Sequence, residues 1–180
     1  WMHSDACVGG YLAPFLRKLG YAVPEFDLGV PGVCSLSADL HKYGYAPKPC
    51  STILYASAEL HRYQPFHVDW PSGRYMTDAF IGSRPAGAVA AAWAVMQYLG
   101  EEGYLDLARQ TMHVKERLVA GIDAIPGLRA WHNELSLLVF GSDSLDVKAI
   151  AKGLTDRGWF VMGTHEPELI HLTCDPVSDE

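Results

Sequence analysis

No stretch of this 180-residue sequence is apolar for long enough to cross a bilayer. The longest such run, around Ala86 to Met96, falls far short of the roughly 20 residues a spanning helix needs. Runs of one charge are equally absent: 21 acidic and 14 basic residues are interspersed and leave a formal charge of -7. That distribution gives no basic stripe for a nucleic-acid groove and no polybasic patch for a membrane surface. The four cysteines, Cys7, Cys34, Cys50 and Cys174, form no Cys-x-x-Cys pair and no zinc-ligand spacing, so reduced, packed thiols of a soluble cytoplasmic protein are expected. There is no internal repeat and no low-complexity tract. What remains, 49% hydrophobic and 19% charged residues, is the composition of a folded globular chain, and disorder is excluded on that ground. The opening Trp1-Met2-His3 begins inside a strand-like pattern and is expected to be a cut edge, with Pro176 to Glu180 a polar stub at the other end.

Periodicity divides the chain into two α/β parts. Leu12, Phe15, Leu16 and Leu19 recur at helical intervals, and Gly20 closes that helix. Val33 to Ala38 and Ser51 to Ala56 have strand character. Asp69 to Gly87 reads as a loop. The alanine-rich run from Gly87 to Leu99 predicts a buried helix with Trp93, Met96 and Leu99 on its core face, and Leu105 to Ile122 continues in helical register beyond Gly100. From Leu128 the order is strand (LRAWHN), strand (LSLLVF), helix (LDVKAIAKGLTDRG), strand (WFVM) and strand (LIHLTC), a sheet covered by a helix.

The chemistry concentrates where strands end. The segment ADLHKYGYAPKPC connects two predicted strands, and such connections are where a rigid scaffold places function. Lys42 leaves a buried strand there, and desolvation is expected to lower its pKa and make the amine nucleophilic. Asp5 follows an apolar strand and precedes Gly9-Gly10, so its carboxylate is expected at the strand's carboxyl end, where open α/β sheets bind ligands. Tyr43 and Tyr45 read as packing. His61, His67 and Asp69 fit no common metal site, and His113, His132 and His171 are isolated; no metal is expected. Cys50 lacks a base at a telling spacing.

Two segments carry a family resemblance. MHSDACVGG resembles the His-x-Asp-Ala segment of the group II pyridoxal-phosphate (PLP) dependent decarboxylase superfamily, and SADLHKYGYAPKPCSTILY resembles the stretch around its Schiff-base lysine. Within that superfamily the pattern is most similar to the sphingosine-1-phosphate lyase family, as is the later IGSRPAGAVAAAWA. The resemblance implies part of a PLP fold type I large domain, with a mixed and mostly parallel sheet over residues 1–104, and a small α/β C-terminal domain over 105–180.

It also implies roles: Lys42 bonded to the cofactor, Asp5 paired with the pyridine nitrogen, Cys7 packed under the ring and His41 at the cofactor phosphate. Gly82 and Ser83 would reach the phosphate of a cofactor held mainly by the other subunit of a homodimer. Lys48, a second cation, would line the active site and hold the phosphate of a phosphorylated sphingoid-base substrate or assist proton transfer. The implied reaction is retro-aldol cleavage to a long-chain aldehyde and phosphoethanolamine. An amino-acid decarboxylase is the alternative, and a non-catalytic fragment is a third reading, because the glycine-rich phosphate loop and the residue stacking on the ring belong to a missing N-terminal part. Ser4, in place of a usual Val, and Pro49, in place of a Gly, depart from the pattern.

Overall fold

The computed structural model describes residues 1–132 and 134–176; Asn133, the side chain of His132 and the last four residues of the polar tail lie outside the described residues. The chain divides into two compact units, residues 1–101 and 102–180.

In the first unit, β1 (Met2–Asp5) leads through a tight turn into α1 (Ala13–Lys18). Pro14 sits in the first turn of α1, where a missing N–H costs nothing, and Ala13 and Leu16 are its buried residues. Arg17 on the outer side ties down the following loop, reaching the Asp27 carboxylate at 3.0 Å and the Pro24 carbonyl at 2.9 Å. The chain returns as β2 (Val33–Asp39), parallel to β1, and then β3 (Ser51–Tyr55), antiparallel to β2. Side chains alternate across a strand, and β2 uses both faces. Leu36 and Ala38 pack with Ala6, Tyr11, Phe26 and Leu28 in a small core, whereas Ser35, Ser37 and Asp39 line the other face. At Gly10 an added Cβ would stand 2.5 Å from the Ala38 Cβ and 2.8 Å from the Ala6 carbonyl oxygen. Only glycine lets the turn after β1 close against β2.

Next come α2 (Ala58–His61), capped by the Ser57 hydroxyl accepting from the Leu60 N–H, and a hairpin of β4 (Phe66–Trp70) and β5 (Gly73–Thr77). The hairpin corrects the expectation of a loop over Asp69 to Gly87. Its alternation is hidden because none of β4 is buried, so aromatic and polar residues follow one another without a core-facing pattern. Then α3 (Gly87–Asp123) runs into the second unit with a break in helical geometry at Gly100. Its segment before Gly100 is helical, as the alanine content predicts, but not buried: Trp93 is 66% exposed and Met96 43%. Ala92 is its buried contact, packing against Leu40, Ala46 and Cys50. Periodicity reports which residues share a face; it does not report whether this chain supplies something to cover that face.

In the second unit, β6 (Arg129–His132), β7 (Leu137–Gly141), α4 (Val147–Thr155), β8 (Met162–Gly163) and β9 (Ile170–Thr173) build an antiparallel sheet in the order β6-β7-β9-β8. Val114 and Ile122 of α3, Leu138 and Phe140 of β7, Val147 of α4, Ile170 and Cys174 form one core. Asp146 caps α4 by accepting from the Ala149 N–H at 3.0 Å. The strand expected over WFVM shrinks to the two residues of β8, and Trp159 and Phe160 before it are exposed. No helix among the described residues is long and apolar enough to cross a membrane.

Candidate active site

The parallel pairing of β1 and β2 puts Asp5 opposite Ser37, at the ends of two strands pointing the same way. Asp5 Oδ1 accepts two hydrogen bonds, from the Ser37 hydroxyl at 2.9 Å and from the Cys7 N–H at 3.1 Å. These donors, the Ser37 hydroxyl foremost, together with the Cys7 thiol and the nearby His3, hold the Asp5 carboxyl below the ordinary carboxylate range. It is therefore an anion at neutral pH.

Lys42 reaches the same place from the other side. Leaving β2, the chain folds into a closed loop fastened by Lys42 N–H to the Asp39 carbonyl (3.2 Å), Tyr45 N–H to the Lys42 carbonyl (2.9 Å), Ala46 N–H to the Leu40 carbonyl (2.9 Å) and His41 N–H to the Cys50 carbonyl (3.1 Å). Gly44 makes this possible: a Cβ there would lie 2.6 Å from both the Cα and the carbonyl oxygen of Leu40. Tyr43 is buried and meets Tyr45 edge to face at 6.3 Å, in keeping with a packing role for both. The Lys42 ammonium then lies 3.0 Å from the Asp39 carboxylate and bonds to the Cys7 side chain.

One expectation fails here. Hydrogen bonding to Cys7 and to Asp39 outweighs desolvation and raises the Lys42 pKa above its ordinary 10.5. Sequence shows the buried strand before the lysine but not the carboxylate that folds back onto its amine. Nor do the motifs single out Asp39, Ser37 or His3 as site residues. The signal was available: period-two spacing puts Ser35, Ser37 and Asp39 on one face of β2, and Asp39 lies three residues before Lys42.

Cys7 thus joins the two ends of the site, its N–H on Asp5 and its side chain on Lys42. His41 stands behind them. Its Nδ1 is 2.7 Å from the Cys50 carbonyl oxygen and its Nε2 is 3.5 Å from Asp39, while Ser51 donates to the other Asp39 oxygen at 2.6 Å. Lys48 is exposed on the far limb of the loop. Gly82 and Ser83 follow the hairpin, with the Gly82 N–H bonded to the Ala79 carbonyl; among the described residues no hydrogen bond or ion pair joins them to the Asp5–Cys7–Lys42 group.

An anionic carboxylate and a primary amine gathered around one small residue, at the carboxyl ends of parallel strands, match the needs of a pyridine aldehyde, and residues 1–134 match the pyridoxal-dependent decarboxylase conserved domain. The chain belongs to that family. It is 40% identical over 173 residues to the sphingosine-1-phosphate lyase of Oryza sativa subsp. japonica, covering 95% of this chain and 32% of that one. A solved structure of the Burkholderia pseudomallei sphingosine-1-phosphate lyase superposes with a TM-score of 0.93 at 37% identity, over 99% of this chain and 41% of that one. A probable L-tyrosine/L-aspartate decarboxylase of Methanothermobacter thermautotrophicus is 33% identical over 179 residues, 97% of this chain and 48% of its own length. The chain spans about a third of the length of the lyases it matches. PLP is the cofactor of this family, and the residues here fit it. The amine suits its aldehyde, the ionised Asp5 suits its ring nitrogen, and Cys7 between them is small enough to lie against the ring.

Proposed function

We propose that this chain is the lysine-bearing part of a PLP-dependent carbon–carbon lyase. The enzyme would cleave a phosphorylated long-chain base of the sphingosine 1-phosphate type to a long-chain aldehyde and phosphoethanolamine. The observation that carries this reading is the convergence of Asp5 and Lys42 on Cys7 in a chain similar to the lyases over nearly its whole length.

Lys42 would hold the cofactor through its aldehyde, and its amine would be displaced by the amine of the substrate. Asp5 would keep a proton on the ring nitrogen, and Cys7 would pack against the ring face. His41 would lie near the cofactor phosphate, its orientation set by the Cys50 backbone and Asp39. When bound, the protonated ring accepts the electron pair released as the bond between the amine-bearing and hydroxyl-bearing carbons breaks. Which bond breaks depends on substrate placement. Lys48 is exposed and able to meet a substrate phosphate or assist proton transfer, a requirement of the lyase substrate that an amino acid does not impose.

We take residues 1–104 as the end of the large cofactor-binding domain and 105–180 as the small C-terminal domain, a division supported by the compact units. The enzyme would be a homodimer in which Gly82 and Ser83 reach the partner's cofactor phosphate; the exposed β4–β5 hairpin and the exposed Phe80 and Ile81 favour this. Free thiols at all four cysteines suit the cytoplasm.

Feeding the complete enzyme a phosphorylated sphingoid base and, separately, tyrosine, aspartate and glutamate tests the reading. Aldehyde from the first is expected. Carbon dioxide from an amino acid with no aldehyde would replace the lyase by the decarboxylase.

A further inference from the structure

The face of β1 and β2 that carries Asp5 has a feature the proposed chemistry does not use. His3, two residues before Asp5 on the same face, has its Nδ1 2.8 Å from Ser35 Oγ and its Nε2 3.2 Å from Ser37 Oγ. Ser37 Oγ donates in turn to Asp5 Oδ1 at 2.9 Å, and the Trp1 indole N–H donates to Ser35 Oγ at 3.0 Å. The result is a continuous chain, Trp1–Ser35–His3–Ser37–Asp5, across two parallel strands. We propose that Ser37 and His3 are positioning residues that hold Asp5 in the orientation and charge state in which it keeps the cofactor's ring nitrogen protonated.

The geometry supplies the argument. The donors from Ser37 and Cys7 both fall on Oδ1, which leaves lone pairs of Oδ2 for a further donor such as a ring N–H. Two donors on one oxygen also fix the rotation of the carboxylate. A hydroxyl can donate only once, and Ser37 donates to Asp5 because its remaining neighbour, His3 Nε2, can offer it a proton. With Nε2 protonated, Nδ1 accepts from Ser35, and the direction of every hydrogen bond in the chain is set. Hydrogen bonds to the ionised form make a carboxylate less basic. A less basic carboxylate leaves a shared proton on its partner, here the ring nitrogen. Ser35, on the side of His3 away from Ser37, is buried, so the chain is anchored in the fold there.

The inference rests on the PLP reading above, and its test separates the two. The complete enzyme is loaded with PLP labelled with 15N at the ring nitrogen, and the nitrogen resonance is recorded beside turnover. The wild type is expected to show a pyridinium nitrogen. Ser37→Ala is expected to move that resonance toward free pyridine and lower turnover about tenfold, the loss of one hydrogen bond to a charged group. Ser37→Thr restores the hydroxyl and both readouts. His3→Phe, which removes a side chain hydrogen-bonded to Ser37 and not to Asp5, is expected to shift the resonance the same way by less, and it serves if Ser37→Ala does not fold. A wild type that takes up no PLP overturns the reading of function. A wild type that takes up PLP, with a ring nitrogen unmoved in folded Ser37→Ala or His3→Phe, overturns the positioning role alone.

Discussion

Replacing Asp39 with asparagine removes one charge beside Lys42 while leaving the side chain's shape nearly unchanged, and an oxygen remains to accept from Ser51. Only the neutral amine attacks an aldehyde, and in the apoprotein Lys42 is held as ammonium by Cys7 and by Asp39 at 3.0 Å. The Lys42 side chain is 35% exposed and Asp39 13%, so solvent screens the pair, and the range for accessible ion pairs applies. That range is about 0.2 to 1 kcal/mol, which converts to roughly a 1.4- to 5-fold gain in the neutral fraction at fixed pH. Asp39→Asn should therefore speed PLP uptake by the complete apoenzyme, against the usual expectation that altering an active-site carboxylate slows it. Stopped-flow absorbance between pH 7 and 8 reads the rate, and wild-type uptake should climb about tenfold per pH unit while the amine remains mostly protonated. Added salt should shrink the difference between the two proteins. The sign for stability is opposite. A lysine whose pKa is raised on folding contributes stability that is complete below 10.5 and is lost as pH rises through the folded value. A folded Asp39→Asn protein that takes up PLP at the wild-type rate or more slowly refutes the reasoning.

Gly44→Ala should displace the Lys42 loop, since the added methyl meets Leu40 backbone atoms at 2.6 Å; the complete enzyme should retain less PLP after gel filtration while its far-UV circular dichroism is unchanged. Leu138→Ala empties part of a fully buried site in the second unit and should cost about 2 to 5 kcal/mol in urea denaturation. Asp146→Ala removes the cap of α4 and should cost about 1 kcal/mol in the same measurement. Burial pushes the Lys115 amine below 10.5 against the pull of Glu116, Cys174 and Glu134. The unfolded chain then binds more protons than the folded one in the window just below 10.5, so this group makes stability rise with pH there, and melting curves of wild type and Lys115→Met at pH 8 and pH 10 should converge toward the higher pH.

Much of this was legible in residue order because it depends on local pattern. The helix over α1, strands β2 and β3, and α4 follow from spacing and caps, and Lys42 and Asp5 follow from motifs at strand ends. What sequence concealed depends on pairing between distant segments. Ser37 faces Asp5 only because β1 and β2 pair in parallel in one register, and the Asp39 carboxylate meets the amine only because the loop closes on itself around Gly44. The helix before Gly100 shows the converse limit. Its periodicity is clear, yet Trp93 and Met96 are exposed, because burial needs a partner surface that no local pattern can report.

The proposed chemistry requires a covalent bond between Lys42 and PLP. Borohydride reduction of the PLP-loaded complete enzyme, followed by digestion and mass spectrometry, should yield one pyridoxyl-bearing peptide from this region, modified at Lys42 and abolished in Lys42→Ala. A reduced adduct on Lys48 or another lysine, or loaded enzyme with no adduct at Lys42, would contradict it.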